Sequence, residues 1–401
     1  MLTTALIFAA TYLVVALGRL PFLRLDRAGA ALLGAALMVA TGGLSLDEAY
    51  RAIDFGTVTL LLGMMLIVAH LRLSGFFTLV TGFVARRARG PLFLLGAIIL
   101  ITGVLSAFLV NDAVCLMLAP LVIEMTRQLG RRPLPYLLAL AMASNIGSVA
   151  TITGNPQNMM IGSFSHLPYA SFAAALTPVA AAGLIVLFLM VAALHRPDFF
   201  SGSDPASAAL RPRVHPALLA SALSATGLAI AGFFAGIPPA EVAIVLGALL
   251  LLYPMKPQRV YREIDWSLLL LFVGLFIVLA SAEKALLTPA LRAVVADAGL
   301  VHVPVLTVLA AVLSNLVSNV PAVLVLAPFL KGIAEPDRAW LVLAMASTFA
   351  GNFTILGSIA NLIVVEQARR QAVNIGFWAY FRIGAPLTLA TLALGAWWLS
   401  Q

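Results

Sequence analysis

The sequence predicts an all-α polytopic membrane protein built from two inverted repeats, with about ten transmembrane helices, two opposed re-entrant helical hairpins and discontinuous helices. Composition is the first observation behind this prediction. Of 401 residues, 62% are apolar and 10% are charged, and the mean hydropathy is +1.06. Apolar runs of crossing length recur from one end of the chain to the other. A soluble protein of this composition would expose too much apolar surface to stay dispersed.

The second observation is an internal repeat. Residues 104–120, VLSAFLVNDAVCLMLAP, align without a gap with residues 312–328, VLSNLVSNVPAVLVLAP. Residues 140–158, LAMASNIGSVATITGNPQN, align in the same way with residues 343–361, LAMASTFAGNFTILGSIAN. Polar and glycine-rich interruptions at corresponding positions of two apolar halves are the sequence signal of a secondary transporter's binding site.

Two apolar segments are too polar at their centres to be simple spans. These are residues 91–127 and 303–333, and arginines on both sides of the first place its two ends on one face. Each segment is therefore predicted to be a hairpin that enters and leaves on the same side. The remaining apolar runs are predicted crossings, at residues 2–18, 29–44, 55–71, 136–164, 171–194, 216–234, 238–254, 266–282, 339–366 and 383–400.

The basic residues predict how the chain is oriented. A formal net charge of +8 would suit a nucleic-acid partner, but the Lys and Arg residues lie in short loops, where they mark the cytoplasmic face. We therefore predict no nucleic-acid partner and a multi-pass protein of the cytoplasmic membrane, surrounded by lipid. With the N-terminus outside, the predicted first repeat is 1–194, the cytoplasmic linker is 195–215 and the upside-down second repeat is 216–401.

Asn111 and Asp112 occupy the centre of the first hairpin. A carboxylate at membrane depth is costly, so it usually faces a polar pathway and has a function there. The structural interpretation is that Asp112 caps a returning arm that begins at Ala113, and both roles can hold together. The repeat mate of Asp112 is Val320, so the hairpin turn itself does not require a carboxylate.

The second hairpin and two helix breaks complete the candidate site. Pro321 is predicted at the first position of the returning arm of the second hairpin, with Ser318 and Asn319 capping that arm or binding a ligand. The breaks are residues 153–158 and 356–361, and each presents a half-helix N-terminus near the bilayer centre. We predict substrate contacts at Asn111, Asp112, Thr153, Gly154, Asn155, Gln157, Asn158, Ser318, Asn319, Gly357, Ser358 and Asn361, with Asp112 also carrying the coupling proton.

These tips and breaks resemble the ion transporter superfamily, over essentially the whole chain. That superfamily includes arsenite and related anion permeases, sodium/proton antiporters of the same fold, and divalent-anion/sodium symporters. Asn111-Asp112 followed by Pro120 looks like the first hairpin of the arsenite and anion permease branch, and Asn319-x-Pro321 looks like its second. The TGNPQN break is similar to the Gly-x-Pro-x-Asn loop of the wider superfamily. The resemblance implies the fold and a transport function.

The function expected from these observations is proton-coupled export of arsenite, antimonite or a related inorganic anion. Arsenite at neutral pH is an uncharged trihydroxide, and a chain with one cysteine, Cys115, cannot hold it by three thiolates. Asn, Ser, Thr and Gln side chains would bind it instead. The alternatives are a sodium/proton antiporter and a sodium- or proton-coupled dicarboxylate transporter. The dicarboxylate branch carries a Ser-Asn-Thr triplet at each tip, and both threonines are missing here.

The sequence also predicts what the protein does without. We expect no cofactor and no metal site, and no enzymatic activity, since the chain has no HExxH or Asp-rich diphosphate motif. The expected partners are a small inorganic substrate and a coupling proton or sodium ion, while a homodimer and an ATPase subunit are both left open. We expect the hairpins and broken helices to move as one body against a scaffold of residues 1–71 and 216–282.

Overall fold

The computed structural model describes residues 1–20, 25–87, 90–200, 214–288, 299, 302–330, 333 and 335–401. The described elements of the first half run in this order: helices Leu2–Leu17, a two-stranded ribbon of Arg19–Leu20 and Leu25–Asp26, then helices Arg27–Ala40, Leu46–Ala52, Phe55–Ser74, Phe76–Arg87, Pro91–Phe108, Asn111–Gln128, Pro133–Ser148, Pro156–Ser165, Tyr169–Leu194 and Arg196–Phe200. A single 3-10 turn, Ile152–Gly154, lies between Pro133–Ser148 and Pro156–Ser165.

The second half repeats this order. Its helices are Pro216–Phe234, Pro239–Leu250, Pro257–Tyr261, Trp266–Leu286, Val303–Val317, Asn319–Leu330, Pro336–Ala350, Ile359–Arg370 and Phe377–Leu399, with a 3-10 turn at Ile355–Gly357. Most of the predicted linker, residues 201–213, lies outside the described residues. The boundaries of the two repeats stay a prediction.

The predicted fold class is confirmed. Residues Pro91–Phe108 and Asn111–Gln128 form hairpin 1, and Val303–Val317 and Asn319–Leu330 form hairpin 2. Two predicted crossings are discontinuous: Pro133–Ser148 with Pro156–Ser165 is broken helix 1, and Pro336–Ala350 with Ile359–Arg370 is broken helix 2. Among the described helices, six are long and apolar enough to cross a membrane unaided. The other crossings are shorter apolar helices and the paired half-helices.

The two halves interlock through their long helices. Phe55–Ser74 packs along Pro239–Leu250, and Trp266–Leu286 packs along Arg27–Ala40. Matching glycines permit both contacts, because a Cβ on Gly63 would lie 2.4 Å from the carbonyl carbon of Ala243 and one on Gly274 would lie 2.6 Å from that of Ala31. Small residues let membrane helices approach backbone to backbone. We call these four helices, with Leu2–Leu17 and Pro216–Phe234, the scaffold.

Candidate substrate-binding site

The tip of hairpin 1 places Asn111 and Asp112 in the first turn of the returning arm. The helix begins at Asn111, and Val110 precedes it without any side-chain cap. The interpretation that Asp112 caps an arm beginning at Ala113 is therefore wrong, because the helix starts earlier and its first turn already contains Asp112. The carboxylate is left available to line a cavity.

The tip of hairpin 2 has a different backbone. Ser318 has φ 78° and ψ 160°, a conformation that residues other than glycine rarely adopt. The returning arm begins at Asn319, so Pro321 is its third residue and not its first, which corrects the prediction. Backbone strain of this kind persists only where the surrounding structure fixes it, and it concentrates at functional sites.

The two helix breaks are built alike. The Asn158 amide Nδ2 donates to the carbonyl oxygens of Ser148 at 3.1 Å and Thr151 at 3.0 Å. Its repeat mate Asn361 donates to the carbonyl oxygens of Gly351 at 2.7 Å and Thr354 at 3.2 Å. Each amide thus satisfies carbonyls left free where the first half-helix ends, a requirement that is strict in a membrane.

The second half-helices are capped from within the breaks. Asn155 Oδ1 accepts from the Asn158 backbone N–H at 2.8 Å, and Ser358 Oγ accepts from that of Ala360 at 3.2 Å. Side-chain oxygens at an N-cap satisfy the donors that every helix start leaves free. Thr153 is turned elsewhere, since its hydroxyl lies 2.8 Å from that of Tyr169.

Asn145 is the centre of a buried amide network that joins the two repeats. Its Nδ2 donates to Asn352 Oδ1 at 2.9 Å and Asn361 Oδ1 at 3.0 Å. Its Oδ1 accepts from Asn111 Nδ2 at 3.2 Å and Ser358 Oγ at 2.9 Å. All four hydrogen-bonding positions of the Asn145 amide are filled, so the tip of hairpin 1 is fixed to both broken helices.

Thr348, the repeat mate of Asn145, takes the reciprocal position. Its hydroxyl accepts from Asn155 Nδ2 at 3.3 Å and Gln157 Nε2 at 3.2 Å. Sequence reasoning missed Asn145, Thr348 and Asn352. The available signal was an amide inside an otherwise apolar membrane helix, which must find partners.

Hairpin 2 is fixed by Asn319. In the amide orientation that satisfies both of its polar atoms, Nδ2 donates to the carbonyl oxygens of Ser347 at 3.1 Å and Gly357 at 3.2 Å. Its Oδ1 then accepts from Gln157 Nε2 at 3.2 Å. Each polar atom of the Asn319 amide therefore has a partner.

Asn111, in contrast, keeps one acceptor without a donor. The hydrogen bonds that Asn361 donates to carbonyl groups in broken helix 2 fix the amide orientations of Asn145 and Asn111, and so identify that acceptor. Asn361 donates to carbonyls, so its Oδ1 must accept from Asn145 Nδ2. Asn145 Oδ1 must then accept from Asn111 Nδ2. No described residue donates to Asn111 Oδ1, although Asn111 is only 3% exposed. A buried acceptor without a donor is costly.

A cavity of about 30 Å³ lies between the tips and the breaks. Asn111, Pro156, Asn319 and Ile359 are the first residues of four helices, and all four line it. Helix N-termini carry a partial positive charge, and the first turns at the hairpin tips also present N–H groups, whereas Asn155 and Ser358 cap the two half-helices. None of the described residues that line it is Lys, Arg or His, and Asp112 is its acidic side chain.

Asp112 also lines a second, wider cavity of about 100 Å³, between hairpin 1 and the scaffold. Arg72, paired with Glu263, and the helix-capping Asp265 line the same space. Asp265 and Arg27 act electrostatically on Asp112. We call this space the vestibule, and it lies on the side of Arg72, which the sequence predicts to be cytoplasmic.

Aromatic rings pack on the other side of the site. Phe164, near the end of the second half of broken helix 1, has its ring centroid 6.2 Å from that of Phe276 in the scaffold and 6.3 Å from that of Trp340. The scaffold therefore contacts the broken helices here, while the vestibule separates it from hairpin 1.

The predicted site residues divide into two groups. Six of them line the cavity: Asn111, Asp112, Gln157, Ser318, Asn319 and Ser358. The others lie behind it and hold the breaks in shape: Thr153, Gly154, Asn155, Asn158, Gly357 and Asn361. Substrate contact by either group stays a prediction.

Comparison with known proteins identifies the family. Residues 12–350 match the model of the citrate transporter family. The silicon efflux transporter LSI3 of Oryza sativa subsp. japonica is 29% identical, over 97% of this chain and 95% of its own. An uncharacterized transporter of Mycobacterium tuberculosis (strain ATCC 25618 / H37Rv) is 30% identical, over 98% of this chain and 96% of its own. The putative transporter arsB of Dictyostelium discoideum is 23% identical, over 93% of this chain and 87% of its own.

A solved structure shares the fold. The crystal structure of the Alcanivorax borkumensis YdaH transporter superposes with a TM-score of 0.63 over 98% of this chain and 95% of that one, at 16% sequence identity. The interlocked repeats, the opposed hairpins and the family match agree with one another. The chain belongs to the citrate transporter family, within the ion transporter and anion permease superfamily.

Proposed function

We propose that this transporter exports a small uncharged inorganic hydroxide, with arsenite or antimonite as the first candidate, from the cytoplasm in exchange for protons. The observation that carries the proposal is the chemistry of the cavity. The helix starts at the two hairpin tips supply N–H donors, Asn111 Oδ1 and Asp112 supply acceptors, and no described lining residue carries a positive charge.

A hydroxide group matches both kinds of partner. Its oxygen accepts from backbone N–H groups at the helix starts, and its proton is donated to Asn111 Oδ1 or to Asp112. Hydroxides of As(III) and Sb(III) present three such groups in a small volume. Silicon in neutral water is also an uncharged hydroxide, silicic acid, which makes it a third candidate.

The same lining argues against a di- or tricarboxylate. A substrate carboxylate would lie beside the Asp112 carboxylate without a lining cation to offset it, and Arg72 in the vestibule is already paired with Glu263. Two like charges about 4 Å apart cost about 4 kcal/mol at an intermediate dielectric. Two relatives are named for silicon efflux and for an arsB-type transporter, and those names agree with a neutral hydroxide.

Coupling is assigned to Asp112, because it lines both the substrate cavity and the vestibule. A proton that reaches Asp112 through the vestibule can therefore change what the cavity binds. We propose that hairpins and broken helices carry the site past the scaffold, as in other inverted-repeat transporters. The seam between Phe164 and Phe276 would open as the vestibule closes.

The test is substrate flux in inverted membrane vesicles that contain the protein. Arsenite, antimonite, silicic acid, sodium and succinate are compared under the same imposed pH gradient, with vesicles lacking the protein as the control. We expect uptake of at least one hydroxide well above the control, and no uptake of succinate.

Two outcomes would overturn the proposal. Sodium flux without hydroxide flux would identify a sodium/proton antiporter, in which Asp112 exchanges the two cations directly. Succinate uptake without hydroxide flux would identify a dicarboxylate transporter and would require a cation to accompany the substrate.

A further inference from the structure

The two hairpin tips carry the same amide but use it differently. Asn319 has every polar atom of its amide bonded, and its Oδ1 accepts from Gln157. Asn111 occupies the matching position of the other repeat, is bonded through Nδ2 alone, and leaves Oδ1 without a described donor.

This difference traces to one pair of residues. The second half of broken helix 1 packs against hairpin 2, and the second half of broken helix 2 packs against hairpin 1. Gln157 and Ala360 are repeat mates on these two half-helices. The Gln157 amide reaches Asn319, whereas Ala360 is fully buried and its methyl group cannot donate a hydrogen bond.

We infer that Gln157 is a specificity-determining residue that makes the cavity one-sided. By donating to Asn319 Oδ1 it takes up an acceptor whose counterpart, Asn111 Oδ1, has no described donor, so a substrate hydroxyl is recognised on the hairpin 1 side. The inference rests on the proposed function, because it requires a ligand that donates a hydrogen bond.

The difference between the two tips places the free acceptor next to the residue proposed to couple transport to protons. Asp112 adjoins the free acceptor of Asn111, whereas its mate Val320 adjoins the occupied acceptor of Asn319. A hydroxyl bound to Asn111 therefore lies beside the titratable carboxyl group. A hydroxyl bound to Asn319 would lie beside a valine.

The test compares KM for arsenite and silicic acid in proteoliposomes made with the wild type, Gln157→Ala and Gln157→Met. Methionine keeps the length of glutamine but cannot donate, so it separates the loss of a hydrogen bond from the loss of volume. We expect both variants to lower KM roughly five-fold, the effect of one added neutral hydrogen bond, with kcat unchanged. Unchanged KM in both, or a change in Gln157→Ala alone, would overturn the inference.

A second test exchanges the residues at positions 157 and 360. Ala360→Gln should place a donor on Asn111 Oδ1 and raise KM. The double variant Gln157→Ala with Ala360→Gln should restore binding at hairpin 2 but lose uphill transport, because Val320 cannot titrate. If Ala360→Gln does not fold, the two Gln157 variants decide alone. Absence of hydroxide flux in the wild type contradicts the proposed function, whereas hydroxide flux with unaltered KM in the Gln157 variants contradicts only this inference.

Discussion

Asp112→Asn is expected to reduce proton-driven accumulation of substrate to the background level while leaving substrate binding and downhill exchange in place. Asparagine keeps the size of the side chain and its capacity to hydrogen-bond, but it cannot take up or release a proton. Asp112 makes no cap contact that the substitution would remove. Uphill uptake and downhill exchange are both measured in proteoliposomes, with ligand-dependent thermal stability as the measure of binding.

Asp54→Asn is the matched control. Asp54 caps the helix Phe55–Ser74, accepting from the Gly56 N–H at 3.0 Å, and asparagine is an equally good cap. It lines neither the cavity nor the vestibule. We expect Asp54→Asn to accumulate substrate like the wild type. Proton-driven accumulation by Asp112→Asn at the wild-type rate would rule out the coupling role of Asp112.

Gly154→Ala is expected to destabilise the protein by about 3 kcal/mol, the upper end of the usual cost of overpacking. The added Cβ would lie 2.2 Å from the carbonyl oxygen of Ser148 and 2.7 Å from its Cα. The same carbonyl accepts from Asn158, so the whole break would have to shift. Thermal unfolding of the purified protein in detergent measures the effect, and transport should fall with the folded fraction.

Two other glycine-to-alanine variants serve as controls for Gly154→Ala. At the repeat mate Gly357, a Cβ would lie 2.8 Å from the carbonyl oxygen of Gly351, so Gly357→Ala should cost less than Gly154→Ala. At Gly227, within the helix Pro216–Phe234, a Cβ would meet nothing within 4 Å, so Gly227→Ala should be close to neutral. A melting temperature of Gly154→Ala equal to that of Gly227→Ala would show that the close approach in the break is not required.

The repeat explains why so much of this fold was predictable from sequence. Gap-free matches located both hairpins and both breaks, because a polar interruption in an apolar span has few structural solutions in lipid. Gly63 and Gly274 take corresponding places in the two long helices, but no sequence match indicates their partners Ala243 and Ala31, which lie across the repeat boundary. That pairing depends on how two distant segments interlock, and no local pattern encodes it.

The candidate site was less predictable than the fold for the same reason. Asp is a favoured N-cap residue, so the local sequence predicts a cap at Asp112. The helix instead begins at Asn111, whose amide donates to Asn145 Oδ1. The contacts of Asn145 with Asn352, Asn361 and Ser358 join residues more than 200 positions apart. Periodicity and propensity describe neighbours along the chain, so they could not reveal this network.

The central claim is that the purified chain alone uses a proton gradient to move a neutral hydroxide uphill through the Asp112 site. The most direct measurement is the final concentration ratio of arsenite across proteoliposomes with an imposed pH gradient, with and without a protonophore. We expect a ratio well above one that falls to one when the protonophore collapses the gradient. A ratio that only ever reaches one would indicate a passive channel, and a ratio that requires an added ATPase subunit would place the energy source outside this chain.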